Sequence, residues 1–224
     1  MRSLLELTQT DDPALTELRE WVAAAPTANR LLAPDASLAE QALLQLQVTR
    51  QAMLGAQVFD TGGISAFGGR IRLRGSPSVA DAPSLLQCNL AGGGMASLGG
   101  FILVGDDVLG GLFAINGGHF GEAGLGNVFW LPPDDLVWSD LEVGHSAFVN
   151  WCLSGDFEAI YASVQAPAAR QVLNGTLPAW HEAVHCHPPL WTVEGQSGDV
   201  STRLVPALEL VGMHARLSQV ALDS

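Results

Sequence analysis

The amino-acid sequence predicts an α+β fold, with a central, mostly antiparallel sheet flanked by N- and C-terminal helices. Apolar residues recur at helical spacing in residues 1–55 and again in 141–224, whereas 56–140 holds short apolar segments separated by glycine pairs. With 224 residues, 48% of them apolar, the chain can bury one substantial core. We therefore expect a single domain over residues 1–224, with the sheet in its middle region.

Two helices are predicted in residues 1–55. Asp12-Pro13 offers a cap and a first-turn proline for one helix, whose apolar positions lie between Leu15 and Val22. The second begins near Ser37, because Ser37 and Glu40 have the spacing of a capping box before a leucine-rich run. Residues 33–35 are the predicted linker.

The middle region is predicted to be an antiparallel sheet with glycine-containing turns. Asp106-Asp107 is assigned to a turn, and residues 76–100 to a long loop that could roof a ligand pocket. The predicted strands cover residues 57–61, 64–67, 70–74, 101–105, 108–116 and 127–131.

Arg70, Arg72 and Arg74 alternate with apolar residues, so a strand would place the three guanidinium groups on one face. The favoured interpretation is a solvated sheet face that pairs with some of the 23 acidic residues. The alternative is a site that holds a carboxylate or phosphate.

The last third is predicted to return to helix. One helix opens at residues 144–146 and closes at 154–155, and Asp156 would cap another over 157–164. Residues 179–185 are expected to form a short turn and 190–193 an extended segment. Residues 203–210 are a candidate edge strand interrupted by Pro206.

The charge balance excludes several classes of partner. Ten basic residues, all arginine, stand against 23 acidic ones, and a net charge of -13 repels nucleic acid and anionic membranes. It favours a basic protein partner instead. No apolar run approaches the roughly 18 residues of a membrane span, and residues 1–13 lack the pattern of a secretory signal. A cytoplasmic location is expected.

No cofactor is predicted. The glycines lead from strand to strand, and no phosphate-binding glycine loop precedes a helix. Three widely spaced cysteines, Cys88, Cys152 and Cys186, are expected to be buried, reduced thiols.

The segment His181-Glu182-Ala183-Val184-His185 matches the H-E-x-x-H pattern of zinc hydrolases. In that interpretation His181 and His185 are metal ligands and Glu182 is the general base. Pro178 and Pro188 limit any helix here to about two turns, and the motif's metal-closing continuation is missing. A zinc-dependent hydrolase is therefore the alternative hypothesis.

Three residues are candidates for a binding site. His119 lies beside Asn116 in a glycine turn that could line a pocket, although Asn and Gly also suit the backbone of such a turn. Trp130 is the third candidate, because a protein-binding surface would leave Trp130, Trp138 or Trp151 partly exposed.

The sequence DDVLGGLFAINGG at 106–118 and the sequence VFWLPPD at 128–134 resemble an uncharacterised bacterial family of unknown function. The first seven residues, the helix end at 151–155 and residues 189–192 fit the same family. The order of elements, together with the pattern Ser146-x-Phe148-x-x-Trp151, is also similar to the SUKH superfamily. Many members of that superfamily are immunity proteins that bind and neutralise toxins. The resemblance implies a non-enzymatic protein-binding domain, which is the leading hypothesis.

Overall fold

The computed structural model describes residues 1–26, 28–95, 100–155, 161, 164, 166–197 and 199–222, with the backbone alone at 219–222. Its helices are α1 (Leu4–Thr8), α2 (Leu15–Ala24), α3 (Ala36–Leu46), α4 (Met53–Phe59), α5 (Leu85–Gly92), α6 (His145–Ser154), α7 (Pro167–Asn174), α8 (Val193–Ser197) and α9 (Ala207–Leu222). Its strands are β1 (Arg30–Leu32), β2 (Gly63–Ala66), β3 (Ile71–Arg74), β4 (Phe101–Asp107), β5 (Leu112–Asn116), β6 (Asn127–Leu131), β7 (Ser139–Gly144), β8 (Glu182–His187) and β9 (Ser201–Pro206).

The sheet confirms the predicted α+β class. Strands β1 to β7 form one sheet in which chain neighbours are also spatial neighbours, and every pairing is antiparallel. Strands β8 and β9 form a separate antiparallel pair. The helices that flank the sheet come from both ends of the chain, as the apolar spacing predicted.

The two faces of the seven-stranded sheet are covered differently. One face, with Ile64, Leu73 and Phe113, belongs to the largest apolar cluster, which also holds residues of α2, α3, α4 and α6. The other face, with Leu103 and Ala114, packs against Val211 and Ala215 of α9. Apolar burial on both faces explains why residues 101–104 of β4 and 112–115 of β5 are all apolar.

Several predicted N-terminal boundaries are wrong. The cap of α3 is Asp35, whose carboxylate accepts from the Leu38 N–H at 3.0 Å, and not Ser37. Helix α2 starts after Ala14, without a side-chain cap at Asp12. The predicted linker at 33–35 directly follows a strand, β1, that the pattern did not reveal.

Two errors in the middle region have physical causes. The strand predicted at 57–61 lies mostly in α4, where every residue from Met53 to Val58 is buried, so the helix has no polar face to show its period. The predicted loop at 76–100 contains α5, which begins with a capping box between Ser84 and Gln87. Asp106-Asp107 is not a turn, because both residues end β4.

The C-terminal predictions are mixed. Helix α6 has the predicted bounds, whereas the helix predicted at 157–164 lies largely outside the described residues. Residues 182–187 form β8 rather than a turn, and the predicted extended segment at 190–193 is a turn leading into α8. The strand predicted at 203–210 divides at Pro206, where β9 ends and α9 follows. The pattern did not reveal β7.

Candidate functional site

Two arginines and an aspartate form a buried charged cluster between β3 and β4. The backbone register pairs Arg72 with Asp106, which places both side chains on one face of the sheet together with Arg74. The Asp106 carboxylate accepts from Arg72 at 2.5 Å and from two nitrogens of Arg74 at 2.5 and 2.8 Å. Arg72 and Arg74 are each only 1% exposed, so the predicted solvated face is wrong.

The rest of this cluster is covered by the segment that leads into β8. Arg74 donates to the Trp180 carbonyl at 3.1 Å and lies 5.1 Å from the centre of the indole ring. Arg72 donates to the carbonyl of Glu182. The arginines hold the pKa of Asp106 below its usual range against the effect of burial, because two cations face one carboxylate. The favoured interpretation is therefore right that these arginines pair with an acidic residue of the chain, and wrong that they face solvent.

The side chain of Asp107, the next residue of β4, holds the turn that follows this strand. Its carboxylate accepts from the Tyr161 hydroxyl and, at 2.8 Å, from the N–H groups of Leu109 and Gly111. Burial raises the pKa of Asp107 to about 6 in spite of these hydrogen bonds. The carboxylate organises the turn between β4 and β5, so its position is explained by structure alone.

The H-E-x-x-H segment is not helical. His181 lies in a turn and Glu182 to His185 lie on β8, so the two imidazoles stand four strand residues apart, or about 13 Å along the chain. Glu182 accepts from the N–H of Ala179 at 3.2 Å. Among the residues described, no three or more His, Cys, Asp or Glu side chains form a metal-binding group. The zinc hydrolase hypothesis thus lacks the helix on which it was based.

His185 instead shares a small cavity of about 10 Å³ with His214, a residue that the sequence pattern did not single out. His214 Nδ1 lies 2.8 Å from the Gly110 carbonyl, and burial lowers the pKa of His214 to about 4. Neutral His214 therefore donates from Nδ1. The cavity has room for about one water molecule, so it is a packing feature rather than a substrate pocket.

The three candidate binding residues do not come together. Asn116 is buried and organises the turn after β5 by accepting from the N–H groups of Gly118 and Phe120 at 2.8 and 3.2 Å. His119 is exposed on that turn. Trp130 is 4% exposed and belongs to the apolar cluster on the opposite face of the sheet from Asn116.

A different part of the same region combines contacting aromatic rings with exposed acidic and apolar side chains from nearby segments. The Phe120 ring stacks on Phe129 and lies 4.9 Å from Trp138, which fixes the turn against β6 and the start of β7. Trp138 and Trp151 are both partly exposed, as the binding hypothesis required of at least one tryptophan. We call the following set the acidic aromatic surface: Phe120, Glu122, Leu125, Asp135, Val137, Trp138, Asp140 and Glu142.

The three cysteines are free and buried, as predicted. In the part of the chain that the structure describes, no helix combines the length and apolar character that a bilayer crossing requires.

Comparison with known proteins identifies relatives over most of the chain. A family model described as "Protein of unknown function DUF2625" matches residues 4–210. The uncharacterized protein YbfG of Escherichia coli K12 is 36% identical over 213 residues, which cover 93% of each chain. An uncharacterized protein of Haemophilus influenzae is 33% identical over 163 residues, covering 72% of this chain and 71% of that one. No solved structure matches significantly.

Proposed function

This chain belongs to the DUF2625 family of proteins of unknown function, and within that family we propose that it acts as a non-enzymatic protein-binding domain for a basic partner. The observation that carries the proposal is the acidic aromatic surface. The resemblance to the SUKH superfamily supports an immunity role, in which the partner is a basic toxin.

The charge of this surface supports a basic partner. Residues 75–169 contain no Arg or Lys, and Glu122, Asp135, Asp140 and Glu142 are all exposed. Unlike charges steer two proteins together over about a Debye length, and like charges keep acidic and nucleic-acid competitors away. A basic protein would therefore associate faster here than a neutral one of the same shape.

The apolar residues of the acidic aromatic surface support a protein, rather than a small cation, as the binding partner. Leu125 is 62% exposed and Val137 is 55% exposed, and they lie in the same chain segments as the half-buried Phe120 and Trp138. Aromatic side chains held rigid by neighbours lose little entropy on binding, and they are enriched at the centres of protein interfaces.

Strand β7 lies at the edge of the sheet, but its geometry opposes the simple addition of another strand. Glu142 has a positive φ of 58°, and the register with β6 shifts between Asn127 and Phe129. Such irregularity and outward-facing charges make it harder for another strand to pair with the edge of a sheet. We therefore expect the partner to use side-chain contacts with the acidic aromatic surface.

The test is site-specific photocrosslinking in the cell that naturally makes the protein. A benzophenone amino acid replaces Val137 in one variant and Val79, which is also exposed, in a control variant. We expect a basic protein to crosslink from position 137 but not from position 79, and the crosslink to disappear when Asp135 and Glu142 are both changed to Arg. Equal crosslinking from both positions, or a crosslink that survives the charge reversal, would refute the proposal.

A further inference from the structure

A second candidate site lies on the first three strands of the sheet, among residues outside the acidic aromatic surface. It is a cleft of about 210 Å³ whose polar lining residues include Arg30, Ser65 and Arg72, with Trp180 forming one wall. Leu32 and Leu177 provide apolar lining.

The strand register explains why these polar residues share one face. Arg30 on β1 lies opposite Ser65 on β2, and Ser65 lies opposite Arg72 on β3. Directly paired residues on antiparallel strands project from the same face, at about 4.8 Å from strand to strand. The row Arg30–Ser65–Arg72 therefore crosses the floor of the cleft.

Two buried hydrogen-bond donors on residues that line this cleft have no acceptor among the described residues. They are the Nε of Arg72 and the indole Nε1 of Trp180. The remaining nitrogens of Arg72 are used by Asp106 and by backbone carbonyls. Both orphan groups are N–H donors, so the partner that would satisfy them must be an acceptor.

The charge of the cleft points to a negatively charged acceptor. Arg72 and Arg74 share the carboxylate of Asp106, and the neighbouring Asp107 carboxylate supplies a second buried negative charge, although its hydrogen bonds come from Tyr161 and backbone N–H groups. Arg30 is exposed and has no ion pair among the described residues, although the chain carries 23 acidic groups. Arg30 therefore brings a positive charge to the cleft that no described carboxylate pairs with, and an anion bound beside it would form a charge-assisted hydrogen bond.

We propose that this cleft binds a small organic anion whose carboxylate or phosphate oxygens accept hydrogen bonds from Arg30, Arg72 and Trp180. The apolar part of the ligand lies against Leu32 and Leu177. Both orphan N–H groups are buried, so the proposal requires the half-buried Trp180 side chain to shift enough for a ligand oxygen to reach them. Guanidinium groups are suited to oxyanions because their donors match the oxygen geometry.

The test measures binding of benzoate and of phenyl phosphate to the full chain by isothermal titration calorimetry, with benzamide as a neutral probe of similar shape. The two anions distinguish a carboxylate ligand from a phosphate ligand. We expect at least one anion to bind more tightly than benzamide, and Arg30→Gln to weaken that anion about tenfold. Trp180→Phe keeps an aromatic ring, although a smaller one, but removes the N–H, and should weaken binding severalfold.

Arg19→Gln is the matched control, because Arg19 is an exposed arginine on α2 and does not line the cleft. Circular dichroism and thermal midpoints verify that each variant folds. The proposal is overturned if neither anion binds at 10 mM (on the order of the weakest specific binding that calorimetry detects), if benzamide binds as well as the anions, or if Arg30→Gln and Arg19→Gln behave alike. The photocrosslink from position 137 should persist in Arg30→Gln, so failure of either proposal leaves the other intact.

Discussion

Replacing Asp106 by Asn should destabilise the fold more than any other single loss of charge that we consider. The carboxylate accepts three hydrogen bonds of 2.5–2.8 Å from Arg72 and Arg74, and its side chain is 3% exposed. Removing one partner of a buried ion pair costs about 3–5 kcal/mol, because the remaining charge stays desolvated. Here two cations would remain. A loss of that size is a large share of the roughly 5–15 kcal/mol that stabilises a typical domain.

The assay is urea unfolding followed by circular dichroism, with Asp60→Asn as the matched control. Asp60 also pairs with an arginine, at 2.6 Å; its own side chain is only 8% exposed, but the Arg50 side chain is 26% exposed, so water can solvate the guanidinium group that remains. We expect about 1 kcal/mol or less for the control. Equal losses in the two variants, or a loss below about 1 kcal/mol for Asp106→Asn, would show that the buried cluster is not the anchor inferred from its geometry.

The pH dependence gives a second check on the same residue. The folded-state pKa of Asp106 is lowered, so its stabilising contribution is present above the unfolded pKa of about 3.9 and is lost as the pH falls through the lower folded value. The difference in unfolding free energy between wild type and Asp106→Asn should therefore shrink in acid.

Three further predictions concern single residues. Because the folded-state pKa of Asp107 is raised to about 6, this group favours folding fully below pH of about 3.9 and loses that contribution as the pH rises through about 6, a change of about 3 kcal/mol. Between pH 4.5 and 7, the urea midpoint of the wild type should fall by this contribution, whereas the midpoint of Asp107→Asn should not. An equal change of midpoint in the two proteins would contradict the prediction. The folded-state pKa of His214 is lowered to about 4, so its contribution is present above about 6.5 and is lost as the pH falls toward 4. His214→Gln should lose less stability than wild type between pH 7 and 4.5, and superimposed acid-unfolding curves would count against it. Ser84→Ala removes the cap of α5 and should cost about 1 kcal/mol in thermal unfolding, whereas Ser37→Ala, which removes no cap, should stay within about 0.5 kcal/mol; equal effects would show that the capping box is unimportant.

The sequence correctly predicted elements whose formation depends mainly on neighbouring residues. The alternating strand β3 and the helix α6 with its glycine stop lie where the sequence placed them, since side-chain direction and chain reversal depend on neighbouring residues. Helix α5 was also predictable, because Ser84 and Gln87 have the capping-box spacing, but the surrounding prolines and glycines favoured a loop.

The segment 181–185 shows where local patterns fail. H-E-x-x-H fits a helix by its four-residue spacing, yet the same residues pair with β9, with His185 opposite Arg203. Strand pairing is a contact between distant segments, so no window around His181 could reveal it. His214 was missed for the same reason, because its proximity to His185 exists only after α9 packs beside β8.

The sequence by itself determined the negative charge, the family, the α+β class and the common face of Arg72 and Arg74, all of which depend on residue identity and short-range spacing. Only the tertiary structure decided whether that face meets water. Trp180 and Glu182, more than 100 residues further along the chain, cover the two arginines and turn a predicted solvated face into a buried cluster beside a cleft. The direction of a side chain is local, but its solvation depends on whatever folds over it.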